Sequence, residues 1–307
     1  MRLLLLLAAA AVSASGANYF VTIAGLGGTP EYEAQFAKWA SDLDHELKSN
    51  GPAARVTTLS GNAATRQQIE RALITIASEA RPEDSVALLL IGHGSFDGTD
   101  YKFNVPGPDV TARDFARLLN AIPAKRQLVV NMTSCSGASL PALARKDRIV
   151  ITATKSGTEK NATVFARYWV DALKDPAADA DKNGTVSALE AFRYAEGKTN
   201  TYFESEKLLA TEHAMLSDSG SAKAVHDPKP ENGQGLIAAA FPVMRPETGV
   251  ARNLGPEKRN LVTRKQNLEA EIDRLKYRKA AMPADDYRQQ LTALLLELAK
   301  TQAEIDR

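Results

Sequence analysis

Five short, almost unbroken apolar runs, separated by stripes of helix-spaced apolar residues, constrain this chain more than any other feature. Tyr19 to Ala24, Val56 to Leu59, Val86 to Ile91, Leu128 to Met132 and Ile149 to Ala153 lack the in-and-out alternation of a half-exposed strand. Strands covered on both faces need such runs, and in α/β proteins they are parallel strands flanked by helices. The intervening stripes fit that role. Tyr32, Phe36, Trp39, Leu43 and Leu47 recur at three- and four-residue spacing, as do Ile69, Leu73 and Ile76, and then Phe115, Leu118, Leu119 and Ile122. Thr65 with Gln68 and Thr111 with Asp114 read as helix N-caps, each paired with a residue three further on. The order β-α-β-α-β-α-β, with right-handed crossovers, predicts an α/β fold around a mostly parallel sheet.

The two ends read differently from this middle. Arg2, the apolar run Leu3 to Val12 and the small residues Ser13 to Ala17 form a signal peptide over residues 1–17, predicting an exported protein, periplasmic or secreted, that starts at Asn18. The alternative cleavage point is at Ala14. Later in the chain no apolar run is long enough to span a membrane. Residues 18–245 read as the α/β domain and residues 246–307 as a linker followed by a helical hairpin. Leu261, Leu268, Ile272 and Leu275 line the first helix, Leu291, Leu294 or Leu295, Leu298 and Ile305 the second, and Pro283 suits the first position of that second helix. This coiled hairpin is expected to be dispensable for folding of the α/β domain and available to a protein partner or to self-association. Residues 257–282 carry eight basic and four acidic side chains, read as a solvated face or a partner-binding arm.

Composition removes several function classes. Thirty-eight basic against 37 acidic residues leave a net charge of +1, without the basic excess that nucleic-acid binding needs. A single cysteine, Cys135, excludes an intramolecular disulfide and any cysteine-based zinc or iron-sulfur site. In open parallel sheets, reactive groups collect beyond the carboxyl ends of the strands. Two strand ends carry them here: Val86 to Ile91 runs into Gly92-His93-Gly94, and the strand ending near Met132 runs into Thr133-Ser134-Cys135-Ser136-Gly137. Parallel neighbours would bring His93 and Cys135 to one edge as a dyad, with the Gly94 and Cys135 amides as oxyanion donors. His45, His213 and His226 read as structural or solvent-exposed.

A strand ending in His-Gly, followed by a strand ending in a cysteine with Ser-Gly close behind, resembles the caspase-like cysteine peptidases. Within them it is similar to the legumain (asparaginyl endopeptidase) family, over roughly Tyr19 to Tyr194. Ile151-Thr152-Ala153 followed by Glu159 also looks like the strand and loop after the legumain nucleophile. The resemblance implies a caspase-like three-layer sandwich, endopeptidase activity on a peptide or protein substrate, His93 as the catalytic histidine and Cys135 as the nucleophile. Legumains place one residue between the cysteine and Ser-Gly, whereas Ser136 follows Cys135 directly, so a gapless match puts Ser134 at the nucleophile position. The substrate-binding arginine of legumains would fall near Glu33, which would suit a basic cleavage-site residue instead.

The sharpest local motif is Asp179-Ala180-Asp181-Lys182-Asn183-Gly184-Thr185-Val186-Ser187-Ala188-Leu189-Glu190. It fits the twelve-residue, EF-hand-like calcium loop: Asp179, Asp181 and Asn183 at positions 1, 3 and 5, Gly184 at the turn and the Thr185 carbonyl at 7. Ser187 would act through water at 9, and Glu190 would bind bidentately at 12. One such loop predicts a structural calcium ion. A catalytically inactive calcium-binding scaffold on the same fold is the alternative to the peptidase.

Overall fold

The computed structural model describes residues 16–51, 53–245 and 255–306. The apolar leader falls in residues 1–15 and the linker in 246–254, both outside the described residues.

The five apolar runs are strands, each a residue or two different in extent from the sequence pattern: β1 (Asn18–Ala24), β2 (Ala54–Leu59), β3 (Ser85–Gly92), then β7 (Arg126–Thr133) and β8 (Arg148–Thr152). Between β3 and β7 the chain inserts a small antiparallel sheet of β4 (Gly94–Phe96), β5 (Tyr101–Phe103) and β6 (Val110–Thr111). The main sheet has the order β10-β8-β7-β3-β1-β2, where β10 (Met215–Ser217) runs antiparallel at one edge and all other pairs are parallel. Helices α1 (Pro30–Lys48), α2 (Arg66–Glu79), α3 (Ala112–Ala121), α4 (Leu140–Leu143), α5 (Phe165–Ala172) and α6 (Ala188–Ser205) complete the domain. Its closing segment is α7 (Leu236–Ala239) and β11 (Pro242–Met244), which pairs with β9 (Val186–Ser187).

Alternation along each strand sorts the core into two layers, because successive side chains point to opposite faces. Phe20, Leu89, Ile91, Val130, Met132 and Ile151 meet Phe36, Trp39 and Leu43 of α1, Phe165 and Trp169 of α5, and Phe192 of α6. Val21, Ile23, Leu88, Leu90 and Val129 meet Ile69 and Leu73 of α2, Phe115 and Leu119 of α3, and Leu140 and Leu143 beyond β7. The result is the expected three-layer α/β sandwich. Both sequence caps hold: the Thr65 side chain accepts from the Gln68 amide, and Thr111 with Asp114 forms a complete capping box.

The C-terminal pair α8 (Pro256–Tyr277) and α9 (Ala284–Ile305) forms the expected hairpin, packed along its length. It also meets the α/β domain at α7. Ile272 and Leu275 of α8 are buried, and the Tyr277 hydroxyl donates to the Gln234 carbonyl just before α7. Among the described residues no helix is long and apolar enough to cross a membrane.

Candidate functional site

β3 and β7 are parallel neighbours with Ile91 opposite Met132 and Gly92 opposite Thr133. Continuing that register one step puts His93 level with Ser134. Equivalent positions of parallel neighbours face the same side, so Ser134 shares the face of His93 and Cys135 turns to the other. The surroundings agree. His93 packs edge-on against Tyr32 and Phe36 of α1, with ring centroids 4.9 and 5.2 Å away. Cys135 is 2% exposed and belongs to the opposite layer, with Phe103, Leu140 and Val129. Its φ of 57° reverses the chain into a 3₁₀ turn over Ser136–Ser139. A non-glycine residue rarely adopts that left-handed conformation, and here it carries the thiol into the core.

No hydrogen bond joins the expected pair, Cys135 and His93, whose side chains contact opposite core layers. Burial pushes the Cys135 thiol up from its ordinary range, against the Lys160 charge and the Phe96 amide. A buried thiol is a poor source of thiolate. The His93 Nε2 meets the Gly27 carbonyl oxygen at 3.1 Å. Because a carbonyl only accepts, Nε2 carries the proton in that contact.

Ser134 is closed onto the backbone of Gly94. Its hydroxyl accepts from the Gly94 amide and donates to the Gly94 carbonyl, both at 3.1 Å. Only glycine permits that approach, since a Cβ at position 94 would lie 2.5 Å from the Ser134 carbonyl oxygen and 2.6 Å from the Tyr101 ring. The Cys135 amide donates to the Glu159 carbonyl at 2.8 Å. Both amides expected to form an oxyanion hole are thus engaged within the protein. Glu33, expected to meet substrate, instead accepts from the Gly27 amide at 2.8 Å, pinning the loop that faces His93.

Sequence reasoning missed an acidic corner beside this turn. The Glu159 side chain accepts from the Lys155 amide at 2.8 Å and meets His213 Nδ1 at 2.5 Å. Glu212 is buried and accepts from the Val164 and Phe165 amides, at 2.7 and 3.3 Å, at the start of α5. Burial pushes the Glu212 carboxyl up to about 7 against those two hydrogen bonds, and the nearby Glu159 charge adds to the rise. The adjacent Glu212-His213 pair was the available signal, but its burial depends on the α5 and β10 packing. A groove of about 920 Å³, lined by Phe96, Tyr101, Arg113, Ala138, Lys155 and Gly157, opens away from His93 on the α3 side.

The twelve-residue loop lies at the opposite end of the sheet, beside Asn50 and the start of β2. Asn50 donates to the Val243 carbonyl and accepts from the Arg245 amide, and Arg245 Nε donates to Thr185 Oγ1 at 2.9 Å. The loop's internal bonds hold its oxygens inward. Asp179 accepts from the Asn183 and Gly184 amides at 3.0 and 2.8 Å, Asp181 from the Asn183 amide at 3.1 Å, and the Asn183 side chain from the Thr185 amide at 2.8 Å. Gly184 makes the turn at φ 81°. Glu190 accepts from the Ala180 amide at 3.0 Å across the loop. Ser187 commits its hydroxyl to a capping box with Glu190 in place of the expected water-mediated position.

One oxygen each of Asp179, Asp181 and Glu190 lies within 4.8 Å of the others. Two oxygens sharing a calcium ion at about 2.4 Å are at most about 4.8 Å apart, so the donor set fits that ion. Their carboxylate oxygens are hard donors of the kind calcium prefers. Asp273 of α8 stands against the loop, its carboxyl pushed up to about 6 by burial and then by Asp181.

No protein-family model matches the chain, and comparison with curated proteins finds no match. Among solved structures, the initiator caspase Dronc of Drosophila is similar at 13% identity, over 69% of this chain and 82% of that one, with a TM-score of 0.48. A protein of Geobacter sulfurreducens is similar at 14% identity, over 66% of this chain and 93% of that one, with a TM-score of 0.45.

Proposed function

We propose that this protein is an exported, calcium-stabilised scaffold of the caspase-like class, catalytically silent through Cys135, which binds a peptide or protein partner without cleaving it. The single observation carrying this reading is the β3-β7 register, which ends at Gly92 with Thr133 and, continued one step, brings Ser134 level with His93, with Cys135 in the opposite core layer. The commitment of the Gly94 and Cys135 amides to Ser134 and Glu159 supports it, because an oxyanion hole acts through donors already free and aimed at the developing charge. The caspase-like assignment rests on the His-Gly and Cys-Ser-Gly strand ends; export rests on the apolar leader.

Calcium would be held by Asp179, Asp181, Asn183, the Thr185 carbonyl and Glu190. When bound, it would offset the mutual repulsion of the three carboxylates and brace β9 against β11 at the end of the sheet opposite His93. The outer side of the hairpin, where Leu295 and Leu296 are exposed, is the surface we assign to a partner or a second copy of the chain.

A second reading is favoured by the same register: a hydrolase with Ser134 as nucleophile and His93 as base. It requires the Ser134 hydroxyl to leave the Gly94 carbonyl and turn its proton to His93. Turnover of a fluorogenic peptide library by the wild type, Cys135→Ala, Ser134→Ala and His93→Ala proteins separates these possibilities. The scaffold reading expects no turnover from any of them. Turnover lost only in Ser134→Ala and His93→Ala supports the serine hydrolase, and turnover lost in Cys135→Ala restores the cysteine endopeptidase.

A further inference from the structure

Helix α8 touches the calcium loop through charged and polar side chains within one turn. Asp273 Oδ2 accepts from Asn183 Nδ2 at 3.0 Å. Lys276 Nζ lies 3.3 Å from Asp181 Oδ2 and 3.5 Å from Asp273 Oδ1. The same stretch meets the domain at α7, with the Tyr277 hydroxyl on the Gln234 carbonyl. Two ligand positions of the loop, 3 and 5, are therefore in contact with the C-terminal hairpin.

We propose that α8 is a calcium-linked latch: docking of its last two turns on the domain and binding of calcium in the 179–190 loop favour each other. This inference rests on the calcium reading above. A ligand shifts a conformational equilibrium only by its different affinity for the two states, so the docked helix must change the loop's affinity. It does so in two opposed ways. Asp273 holds the Asn183 amide nitrogen by its hydrogen bond, which with the Thr185 amide on Oδ1 fixes the orientation of that side chain, and it brings a fourth carboxylate close to the loop. Lys276 acts in the other direction, since its ammonium group occupies part of the field of Asp181 that a cation would use.

Orientation of a ligand and added negative charge both come from Asp273, while Lys276 is about half exposed and can turn to solvent without leaving the helix. The docked state is consequently the tighter binder. Linkage is reciprocal, so calcium strengthens docking by the same factor that docking strengthens calcium binding, within the roughly 5- to 150-fold span of typical coupling. Asp273 therefore acts as a positioning residue for Asn183 and not as a ligand itself.

The test uses the full chain and calcium chloride in titration calorimetry, with hydrogen exchange of the 256–277 amides measured with calcium and with chelator. Asp273→Ala should weaken calcium binding about fivefold or more, and Lys276→Gln should tighten it by a smaller factor. Tyr277→Phe, which touches no ligand residue, should weaken it about two- to threefold by loosening the helix. Exchange in 256–277 should slow with calcium in the wild type and not in Glu190→Ala. Calcium binding of equal strength in all these proteins, with unchanged exchange in α8, overturns the latch and leaves the calcium loop standing. No calcium heat in the wild type overturns the loop reading and the latch with it. Should Asp273→Ala lose its fold by circular dichroism, Tyr277→Phe and Lys276→Gln decide the matter alone.

Discussion

The two ends of the central sheet treat their polar groups in opposite ways. At the carboxyl ends of the strands, His93 Nε2, the Ser134 hydroxyl, the Gly94 and Cys135 amides and one Glu33 carboxylate oxygen are met by neighbours within the protein, and the Cys135 thiol is buried. At the other end, Asp179, Asp181 and Glu190 bring three carboxylates within 4.8 Å of one another. Buried or crowded groups that satisfy one another stabilise a single arrangement, whereas like charges held together store repulsion that a cation relieves. The first region is held closed by its own bonds, and under the calcium proposal the second would accept an ion.

The largest expected effect comes from adding and removing that ion. At a hundredfold excess of calcium over Kd, binding to the native state alone adds about 2.7 kcal/mol, which should raise the melting temperature by several degrees. Asp179→Ala and Glu190→Ala should abolish the difference between calcium and chelator in scanning calorimetry. Equal melting of the wild type in both would remove the contrast between the two ends.

Next in size is a pH effect at the closed corner. The Glu212 carboxyl is raised from its ordinary value of 4.5 to about 7. Between those values the folded protein holds a proton that the unfolded chain has released, so the contribution is fully present below about 4.5 and is lost as pH rises through 7. The rise from 4.5 to about 7 sets a ceiling of about 3.4 kcal/mol at 1.36 kcal/mol per unit, and relaxation of the protein around the charge should bring the loss to the order of 2 kcal/mol. Urea unfolding across this range should show it in the wild type and not in Glu212→Gln; parallel slopes would place the charge elsewhere.

Ser134→Ala should cost about 1–2 kcal/mol in the same assay, since it strips partners from both the amide and the carbonyl of Gly94. A loss near zero would mean that the corner is looser than its hydrogen bonds suggest. The smallest effect is expected at the thiol. Iodoacetamide should label native Cys135 slowly at neutral pH, because the thiol is buried and its pKa is raised, and His93→Ala should leave that rate unchanged. Rapid labelling that falls in His93→Ala would reverse the assignment of the corner.

Much of the architecture was legible because it is local or periodic. Thr111 and Asp114 make the capping box that their three-residue spacing announces, and the Trp39, Leu43 and Leu47 stripe lies on one layer of the core. The small β4-β5-β6 sheet and the antiparallel edge strand β10 were not legible, since strands of two or three residues leave no measurable period. Within the site, His93 and the 134–135 turn were found at the strand ends, but their relation was not. A shift of one residue along a strand reverses the face of every side chain, and an apolar run covered on both sides carries no pattern that reports which face is which.

What the sequence by itself determined is the alternation of strands and helices, the three-layer packing that follows from it, and the spacing of the oxygen-bearing side chains in the 179–190 loop. These depend on neighbours a few positions apart, where chain geometry alone sets the relation. What only the tertiary structure decided is that Cys135 lies in the core layer opposite the α1 rings that His93 packs against, that Glu33 closes a loop, that Glu159 and Glu212 meet at one corner, and that α8 lies on the loop through Asp273 and Lys276. Apart from the Glu33 bond to Gly27, six residues away, each joins residues far apart in the chain, and such contacts follow from register, strand order and packing, which no spacing along the sequence encodes.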